Sequence, residues 1–187
     1  MIDDTLTAML GNKTQAFIEW KTLLGSEWAV EVDDHTSDCV SVGCITPANQ
    51  KEVCEALNIA QKHNMSLYPI STGKNWGYGG SASSKGESVI LDLSRLKRVV
   101  SFDSQLGLVR VEPGVTMGQL RDFLFENKAP FVSPYTGAGP TTSLVGNLLE
   151  KGRSSAPYVD RFSSLVSLKV LLADGSIYES PSSFFKW

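Results

Sequence analysis

Pro69-Ile70-Ser71-Thr72-Gly73-Lys74-Asn75-Trp76-Gly77-Tyr78-Gly79-Gly80-Ser81-Ala82 continues an apolar, strand-like run that starts at Ser66. The stretch holds four glycines, one cation and several small hydroxyls. Glycine reaches positive φ and lacks the Cβ that would hold a ligand away from the backbone. Successive amides in such a turn converge into an anion-binding concavity. A diphosphate is the expected guest, with Lys74 offsetting its charge. The competing reading is a glycine-rich surface loop without a ligand.

The residues before the loop read as a β-α-β unit. Val40 to Ile45 is a strand candidate, and Asn49 with Glu52 three residues later has the pattern of a capping box. Val53, Ala56, Leu57 and Ala60 then share one helical face, and the helix is expected to end near Asn64. Leu67 to Ile70 is the second strand and runs straight into the glycine loop. Ligands of open α/β sheets bind outside the carboxyl ends of strands, which is where this loop falls. Upstream, residues 5–24 read as a helix on the stripe Leu6, Met9, Leu10, Phe17, Trp20, Leu23 and Leu24, stopped by Gly25. Residues 26–40, polar and acidic, are expected to form a lead-in loop.

Beyond the loop, strands are expected at Ser88–Leu93, Val99–Phe102 and Leu106–Glu112, the last ended by Pro113-Gly114. Thr116 and Gln119 form a second capping box, opening a helix whose buried face is Met117, Leu120, Phe123 and Leu124. Pro130–Ser133 reads as short and extended. Residues 133–161 are rich in glycine and proline with almost no strand pattern, and a long irregular stretch of this kind is usually functional. Leu165–Leu172, Asp174-Gly175 and Ser176–Glu179 read as a hairpin. The expected organisation is α+β: an N-terminal helix and lead-in over 1–39, then a domain over 40–187. That domain divides into lobe one near 40–95 and lobe two near 97–187, with the glycine-rich segments 71–82 and 133–152 facing one another.

Composition narrows the function. The 187 residues are 42% hydrophobic and 20% charged, with a formal charge of -3. That is an ordinary globular composition, and its charge argues against nucleic acid as a partner. No apolar run is long enough to cross a bilayer. The acidic N-terminus lacks a signal-peptide pattern, so a cytoplasmic location is expected. Cys39, Cys44 and Cys54 have no CxxC spacing and read as buried free thiols. His35 and His63 stand alone, so no metal site is expected. A P-loop fails at two positions, because Gly73-Lys74 is preceded five back by Tyr68 and followed by Asn75. A Rossmann fingerprint matches loosely at Gly77, Gly79 and Ala82, but no helical pattern follows. No Ser-His-Asp arrangement can be assigned.

The order of motifs resembles the vanillyl-alcohol oxidase / p-cresol methylhydroxylase (PCMH-type) flavoprotein family. The resemblance rests on Thr46-Pro47-Ala48-Asn49-Gln50-Lys51-Glu52-Val53 and on Tyr68 to Gly79. It continues in Leu91-Asp92-Leu93-Ser94, in Val111-Glu112-Pro113-Gly114-Val115, and in Ser143-Leu144-Val145-Gly146-Asn147 with Glu150 and Gly152. It ends in Val170-Leu171-Leu172-Ala173-Asp174-Gly175. Within the family it is closest to the phenol-oxidising branch. The resemblance implies a PCMH-type FAD-binding fold of two α+β lobes, the second lobe incomplete and the cap domain absent.

It also implies FAD as cofactor. Ser71, Thr72, Gly73, Lys74, Asn75, Gly77, Tyr78 and Gly79 would wrap its diphosphate, mainly through backbone amides. Ser143, Gly146, Asn147 and Gly152 would approach the flavin side and the diphosphate, while Glu150 would orient backbone or ribose groups. For Glu150 the competing reading is a solvated acid on a helix face. Tyr158 and Asp160 match the segment that follows.

Two departures matter. Tyr78 stands where many members carry a histidine bonded covalently to the flavin, so FAD is expected to be held non-covalently by this loop. Residues 134–142 contain no carboxylate where some members of the phenol-oxidising branch have an acid. No catalytic residue is assigned. The implied function is the FAD-binding portion of a flavin-dependent oxidoreductase. It would oxidise a small organic substrate, phenolic or hydroxylated, by hydride transfer to flavin. Family members are longer, so the chain is expected to be a fragment, a split subunit or a short form, with substrate held by a cap domain or second chain. A catalytically incomplete FAD-binding or interaction module is the alternative, and a module for another diphosphate, such as a nucleotide sugar, is a third. A homo-oligomer stays open.

Overall fold

A computed structural model describes residues 2–32, 41–74, 83, 88–152 and 162–180. They fall into two units, one of Met1–Ile70 with Ser81–Arg95, the other of Ser71–Gly80 with Leu96–Trp187.

In the first unit, helix α1 (Ile2–Leu24) stops where Gly25 turns to φ +97 and its N–H returns to Lys21 O at 3.0 Å. Strand β1 (Ala29–Glu31) follows, within the stretch expected to be loop. It pairs antiparallel with β2 (Ser41–Ile45), Ala29 opposite Ile45, and fully buries Ala29. Helix α2 (Gln50–Lys62) is capped by Asn49, whose side chain accepts from Glu52 N at 3.0 Å. The reciprocal half of the expected box is shifted. The Glu52 carboxylate takes Ala48 N at 2.6 Å and Asn49 Nδ2 at 2.7 Å, satisfying a donor one residue earlier in the chain. Strands β3 (Ser66–Ile70) and β4 (Ser88–Asp92) complete a sheet of order β1-β2-β4-β3, with β2, β4 and β3 parallel.

Both helices pack on this sheet, α1 through Phe17 and Trp20 and α2 through Ala56 and Ala60; the side chains of Leu6, Met9 and Leu10 lie outside the described residues. Ala16, Phe17, Trp20, Val42, Ile45, Ala56, Ala60 and Val89 belong to one core. Trp20 is fully buried, packs edge-on against Phe17 with centroids 5.2 Å apart, and donates its indole N–H to Ala56 O at 3.1 Å. A buried indole needs such a partner. Gly43 lets α1 come close to β2, since a Cβ there would collide with the Phe17 ring and lie 2.6 Å from Val30 O. At the carboxyl end of the sheet, Arg95 stacks over the Trp28 ring, 3.8 Å from its centroid, and donates to Thr46 O at 2.9 Å. Cys44 and Cys54 are free, but only half-buried; Cys39 and His35 lie outside the described residues.

In the second unit, β5 (Val99–Asp103) and β6 (Leu108–Val111) form an antiparallel pair. The second strand begins two residues later than expected. Asp103 Oδ1 accepts from Gln105 N and Leu106 N, and Gly107 at φ +66 closes the turn. Helix α3 (Met117–Glu126) carries the full Thr116–Gln119 capping box. Phe102 meets Phe123 and Phe131 edge-on, tying β5 to α3 and to the segment after it. A short helix, α4 (Leu144–Leu149), interrupts the stretch read as irregular.

The final hairpin pairs β7 (Lys169–Leu171) with β8 (Ile177–Glu179). Its connection is longer than a two-residue Asp-Gly turn. Gly175 at φ +84 donates to Leu172 O, and Asp174 Oδ1 accepts from Ser176 N and Oγ.

Candidate cofactor-binding site

Where β3 ends the chain changes unit, and Ser71 to Gly80 associate with the second unit. Ser71, Thr72 and Gly73 are half-buried and Lys74 is exposed. Gly73 takes φ +62, a left-handed turn that glycine enters without penalty. Asn75, Gly77, Tyr78, Gly79, Tyr158 and Asp160 lie outside the described residues.

The other side of the site is built around Ser143, which is buried and caps α4. Its Oγ accepts from Gly146 N at 3.0 Å and donates to Pro113 O at 2.8 Å. The backbone around it is stitched to the start of α3, with Leu144 N on Val115 O at 3.0 Å, Met117 N on Thr142 O at 2.9 Å and Gly118 N on Pro140 O at 2.8 Å. The Pro113-Gly114 turn is held in its turn by Gly114 N on Leu96 O at 2.7 Å. Just before it, Arg98 clasps Glu112 through Nε and Nη2, at 2.9 and 2.7 Å. Burial by itself raises the Glu112 pKa, but the hydrogen bonds and charge of Arg98 outweigh it and hold this carboxyl below its ordinary range.

The two glycine-rich segments meet. Ser143 N donates to Thr72 Oγ1 at 3.2 Å, and a Cβ on Gly146 would sit 3.4 Å from the hydroxyls of both Ser143 and Ser71. Ser71, Thr72, Ser143 and Gly146 are thus brought together. Asn147 and Gly152 serve each other: Gly152 N closes the end of α4 on Asn147 O at 2.7 Å, and a Cβ at Gly152 would overlap the Asn147 side chain. Glu150 is the exposed C-cap of α4. Pro113 and Val115 stood in the family motif without a part in holding Ser143, and Gly118 was not singled out, yet their backbone groups help to fix Ser143 and its neighbours. Nor did the sequence reading find α4, although a serine directly before the apolar residues Leu144, Val145, Leu148 and Leu149 is a cap signal, here without the Glu or Gln three residues on that would strengthen it.

This donor set fits a diphosphate. Among the described residues the N–H groups of Ser71, Thr72, Gly73 and Lys74 donate to no protein acceptor. Alongside them stand the hydroxyls of Ser71 and Thr72, the cation of Lys74, and Gly146, where a Cβ would lie 3.4 Å from the Ser71 hydroxyl. No group of metal-ligating side chains and no helix apolar and long enough to cross a membrane occurs among the described residues.

Fold and site together define a domain for a dinucleotide cofactor. Residues 42–180 match the FAD binding domain family, and the chain belongs to it; FAD is its cofactor. Among its relatives, the 1'-carboxy-chondrochloren decarboxylase of Chondromyces crocatus is 36% identical over 131 residues, 70% of this chain and 24% of the relative. The 4-cresol dehydrogenase (hydroxylating) flavoprotein subunit of Pseudomonas putida is 32% identical over 152 residues, 76% of this chain and 29% of the relative. The crystal structure of p-cresol methylhydroxylase with substrate bound superposes with a TM-score of 0.86 at 26% identity, over 95% of this chain and 38% of that one. The expected PCMH-type fold is thereby established. The chain spans less than two fifths of the length of each of these proteins.

Proposed function

We propose that this chain is the FAD-binding portion of a flavin-dependent oxidoreductase acting on a small organic substrate, phenolic or hydroxylated. The observation that carries the site is the junction of Ser71–Lys74 with Ser143–Gly146, fastened by the Ser143 N–H on Thr72 Oγ1. The backbone amides of residues 71–79 hold the diphosphate and Lys74 offsets its charge. Ser143, Gly146, Asn147 and Gly152 give the cofactor close passage, while Glu150 faces its ribose or backbone neighbours. FAD, when bound, supplies the two-electron acceptor; this chain binds and orients it. Tyr78 forms no histidine-type flavin bond, so the cofactor is held here without a covalent link. The substrate preference is supported by the 4-cresol dehydrogenase relative and the p-cresol methylhydroxylase likeness. Substrate is held by a cap domain or second chain, a reading supported by the chain spanning less than two fifths of these relatives' length.

The test is the visible spectrum of the purified protein, followed by titration with FAD. Yellow protein that releases flavin on denaturation is expected. Lys74→Gln should weaken FAD about tenfold, as for one charge-assisted contact of roughly 1.4 kcal/mol. Colourless protein with no thermal shift in FAD would sink the reading.

A further inference from the structure

We infer that Thr72 is a directed hydroxyl donor to the cofactor diphosphate, its proton aimed by the Ser143 N–H behind it. The inference rests on the FAD reading above. A hydroxyl has one proton to donate and two lone pairs to accept with. Ser143 N donates to Thr72 Oγ1 at 3.2 Å, so one lone pair is occupied and the proton must turn away from that nitrogen. Among the described residues no other hydrogen bond involves this hydroxyl. Ser143 cannot swing to follow it. Its Oγ is fixed between Pro113 O and Gly146 N, and the chain on either side is bonded to Val115 and Met117. Thr72 is β-branched, hence stiff at χ1, and Gly73 turns left-handed immediately after it. The run from Ser143 N–H through Thr72 O–H to a phosphate oxygen is one in which each bond polarises the next. The same threonine therefore ties the loop down before the cofactor arrives and donates to it afterwards.

Thr72→Val removes the hydroxyl with little change of shape, and Thr72→Ser keeps it. In the FAD titration the valine variant should bind about tenfold more weakly and the serine variant within about threefold of wild type. Amide exchange followed by NMR reads the other half. Ser143 N–H should exchange faster in ligand-free Thr72→Val than in wild type, and FAD or ADP should slow it in wild type but not in the valine variant. Circular dichroism and melting confirm that the variants are folded. Wild-type affinity in Thr72→Val, or Ser143 exchange indifferent to that substitution, overturns the inference alone. Wild-type protein that binds neither FAD nor ADP overturns the FAD reading and this inference with it.

Discussion

Ser143→Ala removes two hydrogen bonds with one oxygen atom. The Oγ caps α4 through Gly146 N at 3.0 Å and satisfies Pro113 O at 2.8 Å, in a side chain only 2% exposed. Losing a serine cap costs about 1 kcal/mol. The half-buried Pro113 carbonyl left without its donor costs about 1–3 kcal/mol more. The combined loss of roughly 2–4 kcal/mol falls on the unit containing Ser71–Gly80 and Leu96–Trp187. For a unit of about a hundred residues this corresponds to a fall in melting temperature on the order of 10 °C. Scanning calorimetry without FAD measures it directly. FAD affinity should fall as well, because the Ser143 N–H that supports Thr72 loses its anchor. If Ser143→Ala melts within about 1 °C of wild type, the hydroxyl is not bridging these elements and the account of the site fails.

Gly43→Ala should destabilise the first unit by about 1–3 kcal/mol, because the new methyl meets the Phe17 ring and a backbone carbonyl, and the carbonyl cannot give way. An unchanged urea midpoint would refute this. Glu19 accepts from Lys62 Nζ at 2.7 Å and His63 Nε2 at 2.9 Å, linking α1 to the end of α2. Its pKa is lowered from 4.5, first by the Lys62 hydrogen bond and then by that of His63. Since the folded pKa is the lower one, this stabilisation is present above pH 4.5 and is lost as the pH falls through the folded value. Glu19→Gln should flatten the acid limb of stability against pH between 4.5 and the depressed value, and an unaltered limb would count against the link.

What the sequence makes legible is whatever local chemistry decides alone. Asn49 and Thr116 announce α2 and α3, because a capping side chain acts only on its own first turn. Gly25 marks the end of α1 for the same local reason. Strand β1 was missed because three residues, Ala29–Glu31, give no periodicity, and their pairing depends on Ile45, sixteen positions after Ala29. The early part of the Leu106–Glu112 strand was lost to the Asp103 side chain, which competes for the backbone N–H groups that follow it. In the site, glycine and hydroxyl content pointed to Ser71–Gly73, whereas Ser143 and Gly146 came only from the family resemblance. Their meeting through Ser143 N and Thr72 Oγ1 joins residues 71 positions apart, and no local pattern encodes it. Gly152, expected beside the cofactor, also has a local reason to be glycine in the Asn147 side chain against it.

Pro69, at the head of the loop, has a further consequence. Among the described residues strand β3 is the last of the four-stranded sheet, and Ile70 is the residue whose carbonyl bonds inward, to Leu93 N at 2.9 Å. The backbone nitrogen of Pro69 therefore looks outward, with no hydrogen to offer. An approaching chain finds its ladder broken there, which discourages strand-to-strand aggregation along this side. Pro69 thus lets the sheet deliver its loop without becoming a template for other molecules, and Pro69→Val should show the difference as concentration-dependent association.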